Sequence, residues 1–349
     1  MSKKRYIIPI FVPHLGCPHD CIFCNQRKIT SQEQAVDKDE IINIIEEQLS
    51  YFPDSSKIKE IAFFGGSFTA IPRPAMIGYL EIAKKYKEDG VIDMIRISTR
   101  PDCIDYEILD ILKFYLVDII ELGVQSMDDE ILRVNARGHG SEDVVIASRL
   151  IKEYDFTLGH QIMPGLYMDS FEKMIETAEK SIAIGPDIVR IYPTLIIKNT
   201  ALETLYETGE YKPLTLEEAI DISAILLKMY KEKGITVIRI GLQVTENINL
   251  ENDVVDGPFH PSLRQLVEQK IYLEKITDVI DNSDLRDKSN IEIYANKSIL
   301  SNVVGQKAVN KYILQEKYGF KRISFTSIDE DRLYIKDDEI YVEIGMLWD

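Results

Sequence analysis

Cys17, Cys21 and Cys24 stand at CxxxCxxC spacing in the string Cys17-Pro-His-Asp-Cys21-Ile-Phe-Cys24. Thiolates this close in one loop can wrap a single metal or cluster, and reduced cysteines fit a cytoplasmic protein better than disulfides do. Their number is informative. A [4Fe-4S] cluster held by three cysteines keeps one iron open to a substrate or cofactor, whereas a closed structural zinc site takes four protein ligands. The bland alternatives are a zinc knuckle completed by His14, His19 or Cys103, or incidental thiols. The loop lies just past the first strand of a β/α ladder, where catalytic ligands accumulate, and that position favours the cluster. Cys103, after the third strand, reads as a small buried hydrophobe ahead of a radical relay or a further thiol.

The elements that must position these residues alternate regularly. Apolar, β-rich stretches recur at 6–11, 60–64, 94–98, 118–123, 156–162, 188–192 and 235–240. Between them run helical patterns, such as 39–51, with Ile41, Ile42, Ile45 and Leu49 on one face, and 216–231, with Ala219, Ile220, Ile222, Leu226 and Leu227 at helical spacing. Alternating strands and helices predict a parallel sheet, and strands this uniformly apolar are covered by helices. Six or seven such units suit a full or partial β/α barrel of the α/β class, with its chemistry at the C-terminal ends of the strands. After about residue 245 the pattern changes. Residues 247–261 are polar and turn-rich, 262–279 read as a helix and 282–290 as a charged linker. A small α/β module follows, with strands at 291–295, 322–326, 333–336 and 340–344. Its helix is expected at 304–318, with Val304, Ala308, Tyr312 and Ile313 turned inward. The expected organisation is therefore a core over 1–245, a linker and helix over 246–290, and the module over 291–349.

The chain has 349 residues, 45% of them hydrophobic, and 41 basic against 58 acidic side chains, for a net charge of −17. This excludes disorder, collagen and a disulfide-stapled miniprotein. No apolar stretch reaches the roughly 18 residues of a membrane span; Asp118, Arg190 and Arg239 interrupt the best ones. Residues 3–13 superficially copy a signal peptide, but the apolar part is short, broken by proline and lacks a cleavage site, so a cytoplasmic protein with no membrane contact is expected. The acidity disfavours non-specific binding to nucleic acid unless a local basic patch overrides it.

Further strings narrow the reading: Gly65-Gly66-Ser67-Phe68-Thr69, Ser98-Thr99-Arg100-Pro101-Asp102, Glu121-Leu122-Gly123-Val124-Gln125-Ser126, Arg137-Gly138-His139 and Arg190-Ile191-Tyr192-Pro193-Thr194-Leu195. With the cysteine loop and its aromatic Phe23, the chain resembles the radical S-adenosylmethionine (radical SAM) superfamily, whose hallmark is CxxxCx(aromatic)C after the first strand of a partial (β/α)6 barrel. Over roughly residues 6–243 it is similar to the radical SAM core of the catalytic subunit of Elongator, which modifies wobble uridine in tRNA at C5. Oxygen-independent coproporphyrinogen oxidase, which shares Gly-Val-Gln-Ser, is looser kin.

The resemblance implies a [4Fe-4S] cluster on Cys17, Cys21 and Cys24, with S-adenosylmethionine on the free iron. Reductive cleavage of SAM then gives a 5′-deoxyadenosyl radical that abstracts hydrogen from the substrate. It also implies a one-electron donor such as flavodoxin or ferredoxin. Gly65 and Gly66, with Ser67 and Thr69, correspond to the segment that holds the SAM amino group. Ser98 and Arg100 belong to the next polar string, where the family usually has Glu in place of Ser98. Glu121 and Gln125 correspond to ribose contacts, Arg137 to the carboxylate contact and Gln161 to a polar contact on the fifth strand. Ribose hydroxyls suit carboxylate or amide acceptors, and a carboxylate suits a planar guanidinium. Tyr192, Lys198 and His139 are candidates for orienting substrate or transferring protons, whereas His160, on a strand, reads first as a core histidine.

The family's acetyltransferase domain and its basic tRNA-binding extension find no counterpart here, so no acetyl-CoA is expected and carboxymethyl transfer is not inherited. The substrate expected is a nucleoside in tRNA or another RNA. The alternatives are a small-molecule transformation like that of the coproporphyrinogen oxidase relatives and a non-catalytic cluster- or haem-carrying protein. The module is expected to dock substrate. Residues 291–325 carry six basic side chains (Lys297, Lys307, Lys311, Lys317, Lys321, Arg322) against two acidic ones, although no aromatic stacking platform is evident beside them.

Overall fold

The computed structural model describes residues 5–12, 20–25, 37–52, 57–242 and 253–346. Five parallel strands, β1 (Arg5–Val12), β2 (Ile58–Gly65), β3 (Met94–Thr99), β4 (Ile119–Gln125) and β5 (Thr157–Ile162), follow one another across one sheet. It continues with β6 (Ile188–Ile191); the chain then leaves to form the short β7 (Ile196–Ile197) and returns as β8 (Thr236–Ile240), the seventh strand of the row. β1 pairs only with β2 and β8 only with β6 among the described residues, so the sheet curls without closing, as expected of a partial β/α barrel.

The helices after the strands bury one apolar stripe each. Ile41 and Ile45 of Lys38–Ser50, Met76 and Leu80 of Arg73–Glu88, Val144 and Ile151 of Ser141–Glu153, and Leu226 and Leu227 of Leu216–Glu232 join the strand residues in one core. Their starts are written in the sequence. Asp105 accepts from Ile108 N–H, Ser170 from Lys173 N–H, and Thr215 and Glu218 form a reciprocal capping box.

Within the stretch expected to be polar and turn-rich, Val254–Asp256 forms β9, antiparallel to β7; the two-residue partner strand was too short to carry a pattern. Helix Leu263–Asp281 joins two cores. Leu263, Val267 and Ile271 pack with the barrel, and Tyr272, Ile276 and Ile280 pack with the C-terminal module. In the module, β10 (Asn290–Asn296) pairs parallel with β11 (Arg322–Ile328) and antiparallel with β12 (Leu333–Lys336), which pairs antiparallel with β13 (Tyr341–Ile344).

The module helix differs from expectation. Gly305 (φ 80°), Lys307 (φ 51°) and Ala308 (φ 59°) break it into Leu300–Val304 and Val309–Tyr318. The break changes the helical phase, so Asn310 and Leu314 turn inward, while Tyr312 (63% exposed) and Ile313 (39%) face solvent. Asn310 stabilises the break by donating its amide to the carbonyls of Val303 (3.1 Å) and Gln269 (3.1 Å). No described helix is long and apolar enough to cross a membrane.

This phase predicts that Leu314→Ala costs about 2–5 kcal/mol in urea unfolding, whereas Tyr312→Ala stays within about 0.5 kcal/mol. Comparable losses at both positions would restore the unbroken helix.

Candidate active site at the strand ends

The described part of the cysteine loop is a tight turn. Cys24 N–H donates to the Cys21 carbonyl (3.0 Å), which sets the two thiols one turn apart. Cys17 lies outside the described residues, as do His14 and His19. The turn is pinned to the barrel from two sides: Ile22 N–H donates to the Asn135 carbonyl (3.2 Å), and Leu202 N–H to the Ile22 carbonyl (2.8 Å). Phe23 is buried in a satellite cluster with Leu166, Ile196, Leu202 and Tyr211. Beside that cluster a cavity of about 280 Å³ opens between Gly165–Leu166 and Tyr211–Lys212. Asp169 lines it, its carboxyl pushed up to about 6 by burial.

Arg137 ties this turn to the end of β4. Its Nη2 donates to the Gly123 carbonyl (2.7 Å), its Nε to His139 Nε2 (3.0 Å), and its Nη1 lies 3.5 Å from Cys21 Sγ. Gly123 makes room for it, since a Cβ there would stand 2.6 Å from Nη2. Because Nε2 of His139 accepts, the ring proton sits on Nδ1, next to the Gly140 carbonyl (3.2 Å). Burial, reinforced by the Arg137 charge, lowers this imidazole to about 4.

The ends of β2 and β3 are joined by hydroxyls. Gly65 takes φ 103°, and Gly66 N–H donates to the Val12 carbonyl (3.1 Å). Ser67 and Thr69 both meet Thr99 Oγ1 (2.8 and 2.6 Å), and Ser67 Oγ accepts from Arg100 N–H (3.1 Å). Arg100 grips Asp102 with Nε and Nη2 (2.9 and 3.0 Å) and donates to the Arg137 carbonyl (2.6 Å). Burial opposes its charge, yet Asp102, Cys21 and Cys103 together raise its pKa. Among the described residues its buried Nη1 has no hydrogen-bond partner.

At the end of β4, Gln125 adopts φ 66°, a left-handed conformation that costs a non-glycine residue about 1 kcal/mol. Its amide oxygen accepts from Gln161 Nε2 (3.3 Å), so these two predicted residues do meet. Ser98 is half-buried on β3, in register with Glu121.

Other predicted residues stand apart from this rim. Both carboxylate oxygens of Glu121 are occupied by arginines: Arg190 approaches through Nε (2.6 Å) and Nη2 (3.1 Å), and Arg96 through Nη1. Burial works against this charge, but Arg190 and Arg96 hold the carboxyl below its ordinary range. Arg190 Nη1 donates to Tyr192 Oη (3.0 Å), which places Tyr192 at the far end of this chain of charges. Lys198 is exposed, with its backbone bonded to Asp253 and Asn25. His160 is a buried core histidine between Ser148 (3.0 Å) and Ser181 (2.9 Å), lowered to about 3 by burial. Asn135, Arg96 and Glu60 carry much of the architecture, and sequence reasoning missed them because none lies in a recognisable string.

Cofactor chemistry can be tested against this donor set. Two thiols one turn apart, a guanidinium beside one sulfur and an unpaired buried N–H on Arg100 suit a thiolate-held cluster with an anionic ligand next to it.

Both buried imidazoles hold their proton more weakly in the folded chain than in the unfolded one. Their contribution to stability is therefore complete above about pH 6.5 and is lost as pH falls through the folded values of about 4 for His139 and about 3 for His160. In NMR titrations both rings should keep neutral-state shifts down to about pH 5.5; a midpoint near the ordinary 6.5 would contradict the burial described here.

Residues 11–180 match the family model described as "Radical SAM superfamily", and residues 186–272 match "Radical_SAM C-terminal domain". The chain is 32% identical to an uncharacterized protein of Methanocaldococcus jannaschii, over 63% of this chain and 70% of that one. It is 31% identical to a tRNA uridine(34) acetyltransferase of the same organism (77% of this chain, 56% of the relative) and 35% identical to that of Methanocaldococcus infernus (56% and 36%). The chain thus spans about half or less of these acetyltransferases. Among solved structures, archaeal Elp3 from Methanocaldococcus infernus shares the fold, with a TM-score of 0.60 at 23% identity over 79% of this chain and 64% of that one. The strand ends and their cysteine turn thus sit on a known scaffold, and the chain belongs to the radical SAM superfamily, whose enzymes work with a [4Fe-4S] cluster and S-adenosylmethionine.

Proposed function

We propose that this radical SAM enzyme acts on a nucleoside in RNA, in the manner of the Elongator catalytic subunit. The observation that carries the reading is the 31% identity, over 77% of this chain, with a protein named tRNA uridine(34) acetyltransferase. The chemistry supplied by the bound cofactors is reductive cleavage of SAM and hydrogen abstraction from the substrate.

The chain's own residues then divide the work. Cys17, Cys21 and Cys24 hold the cluster, with Phe23 anchoring the loop in its apolar seat. The Gly65–Gly66 turn lets backbone approach the SAM amino group, beside Ser67, Thr69 and Ser98. Gln125 and Gln161 serve the ribose. Arg137 and the free N–H of Arg100 serve the carboxylate. Glu121, held by two arginines, acts through Arg190 to orient the Tyr192 hydroxyl. His139, neutral and hydrogen-bonded, orients Arg137, and exposed Lys198 is open to a large substrate. An electron donor such as flavodoxin or ferredoxin completes the system.

Cys17→Ala, Cys21→Ala and Cys24→Ala should each reduce bound iron to near background after anaerobic reconstitution and abolish 5′-deoxyadenosine formation. Cys103→Ala should retain both. A colourless wild-type protein with one zinc per chain would refute the cluster.

Nucleosides digested from the RNA of a deletion strain should lack, or lose most of, one modified uridine present in the parent. Identical nucleoside profiles would instead promote the small-molecule reading, which the net charge of −17 favours.

A further inference from the structure

The four-stranded module sheet has one covered face and one open face. Ile291, Ile293, Ala295, Ile323, Leu333, Ile335 and Ile344 pack beneath the helices. Strand alternation puts their neighbours on the other side. There the register aligns Tyr294 with Tyr334 and Glu292 with Lys336 across β10 and β12, and Lys336 with Tyr341 across β12 and β13.

Three tyrosines from three strands form a row. The rings of Tyr294 and Tyr334 lie 4.8 Å apart at 5°, and those of Tyr334 and Tyr341 lie 4.9 Å apart at 37°. Because the rings stack on one another, a further flat group is added at the end of the row. That end is Tyr341 on the edge strand, 51% exposed. Cations accompany the rings: Lys336 Nζ is 4.7 Å from the Tyr294 centroid, and the Arg332 guanidinium lies 5.7 and 5.9 Å from Tyr334 and Tyr341. Arg322, on the same face of β11, adds a third cation.

The acids on this face are already engaged. Glu343 takes both forks of Arg332 (2.9 Å each), and Glu292 accepts from Tyr294 Oη (2.6 Å) and lies 3.6 Å from Lys336. Glu330 also lies 3.9 Å from Arg332, so the face and its margin carry three cations among three engaged carboxylates, within a chain of −17. Cross-strand packing accounts for the rings meeting one another. It does not account for an aromatic surface, flanked by cations, that ends open to solvent.

We propose that this open sheet face binds unpaired nucleotides of RNA, a base extending the tyrosine row at Tyr341 and phosphates meeting Arg322, Arg332 and Lys336. The inference rests on the reading that the substrate is RNA, and it adds where RNA is held outside the barrel. Of the six basic side chains noted in the sequence, Arg322 lies on this face, while Lys297 pairs with Asp329 (2.9 Å) and Lys317 with Asp281 (3.0 Å).

The test is fluorescence anisotropy of the full-length reconstituted enzyme with a labelled single-stranded RNA of about a dozen nucleotides at low salt. Tyr341→Phe keeps a stacking ring and should bind within about twofold of wild type, whereas Tyr341→Leu should weaken binding by roughly tenfold. Arg332→Gln combined with Lys336→Gln should weaken binding and flatten its salt dependence, and it carries the test if the leucine variant fails to fold. A fully paired RNA duplex should compete poorly. Three results overturn the proposal: equal affinity in all variants, no binding by wild type, or a Tyr341→Leu change in oligomeric state with RNA affinity intact, which would make the face a contact between copies. The deletion-strain nucleosides decide the RNA reading separately. A missing uridine together with variants of equal affinity would remove this platform and leave that reading standing.

Discussion

The interior of the barrel depends on a chain of charges that crosses the sheet, exposed at Arg5 and buried from Glu60 to Arg190. Arg5 of β1 meets Glu60 of β2 (3.1 Å), Glu60 meets Arg96 of β3, Arg96 meets Glu121 of β4, and Glu121 meets Arg190 of β6. Each ion alone would be costly to desolvate; alternation of sign and multiple hydrogen bonds make the set tolerable. The intervening strand β5 yields space. At Gly159 a Cβ would stand 2.7 Å from Glu121 Cγ, so a glycine is what lets β4 and β6 join across β5. Hydrophobic residues of equal volume often stabilise a core as well as such a network does, and what this one adds is a fixed position for the Tyr192 hydroxyl, which accepts from Arg190 (3.0 Å).

A second constraint operates at the strand ends. The segment after β4 returns three polar side chains to the barrel: Asn135, Arg137 and His139. Asn135 bonds both ways with Tyr167, its amide donating to the Tyr167 carbonyl (3.0 Å) and its oxygen accepting from Tyr167 N–H (3.3 Å). Its own carbonyl receives Ile22 N–H. Arg137 reaches Cys21, and its carbonyl receives Arg100. The cysteine turn, β3, β4 and the loop after β5 are thus linked through one short segment. A cluster-binding loop must not reorganise when its ligand charge changes, and attachment at several backbone points supplies that rigidity.

The barrel was legible because its signals are local and repeated. Each strand is an apolar run, each helix a stripe, and several helices begin at a side-chain cap. The cysteine spacing and the strings at strand ends marked the candidate site for the same reason. What was not legible depends on distance in sequence. Glu121 read as an open polar contact because its partners lie 25 and 69 residues away. The module helix was given the wrong inward face because left-handed Lys307 and Ala308, which no residue type marks, reset the phase. The tyrosine row escaped notice entirely, since Tyr294, Tyr334 and Tyr341 form no string and meet only through strand register.

Global charge and local contact pull in opposite directions in this chain. A net charge of −17 opposes the approach of a polyanion at long range, and salt weakens that repulsion beyond about 10 Å. Stacking and paired-cation contacts operate within a few ångströms and are little affected by the distant field. On the RNA reading proposed above, a chain of this kind would gain little from electrostatic steering and would select its partner through shape and unpaired bases once contact is made. Duplex segments, which offer phosphates but no free base faces, would add no stacking to offset the repulsion. An acidic body with a small aromatic and cationic face is therefore a consistent arrangement, in which repulsion sets the background and stacking sets the exceptions.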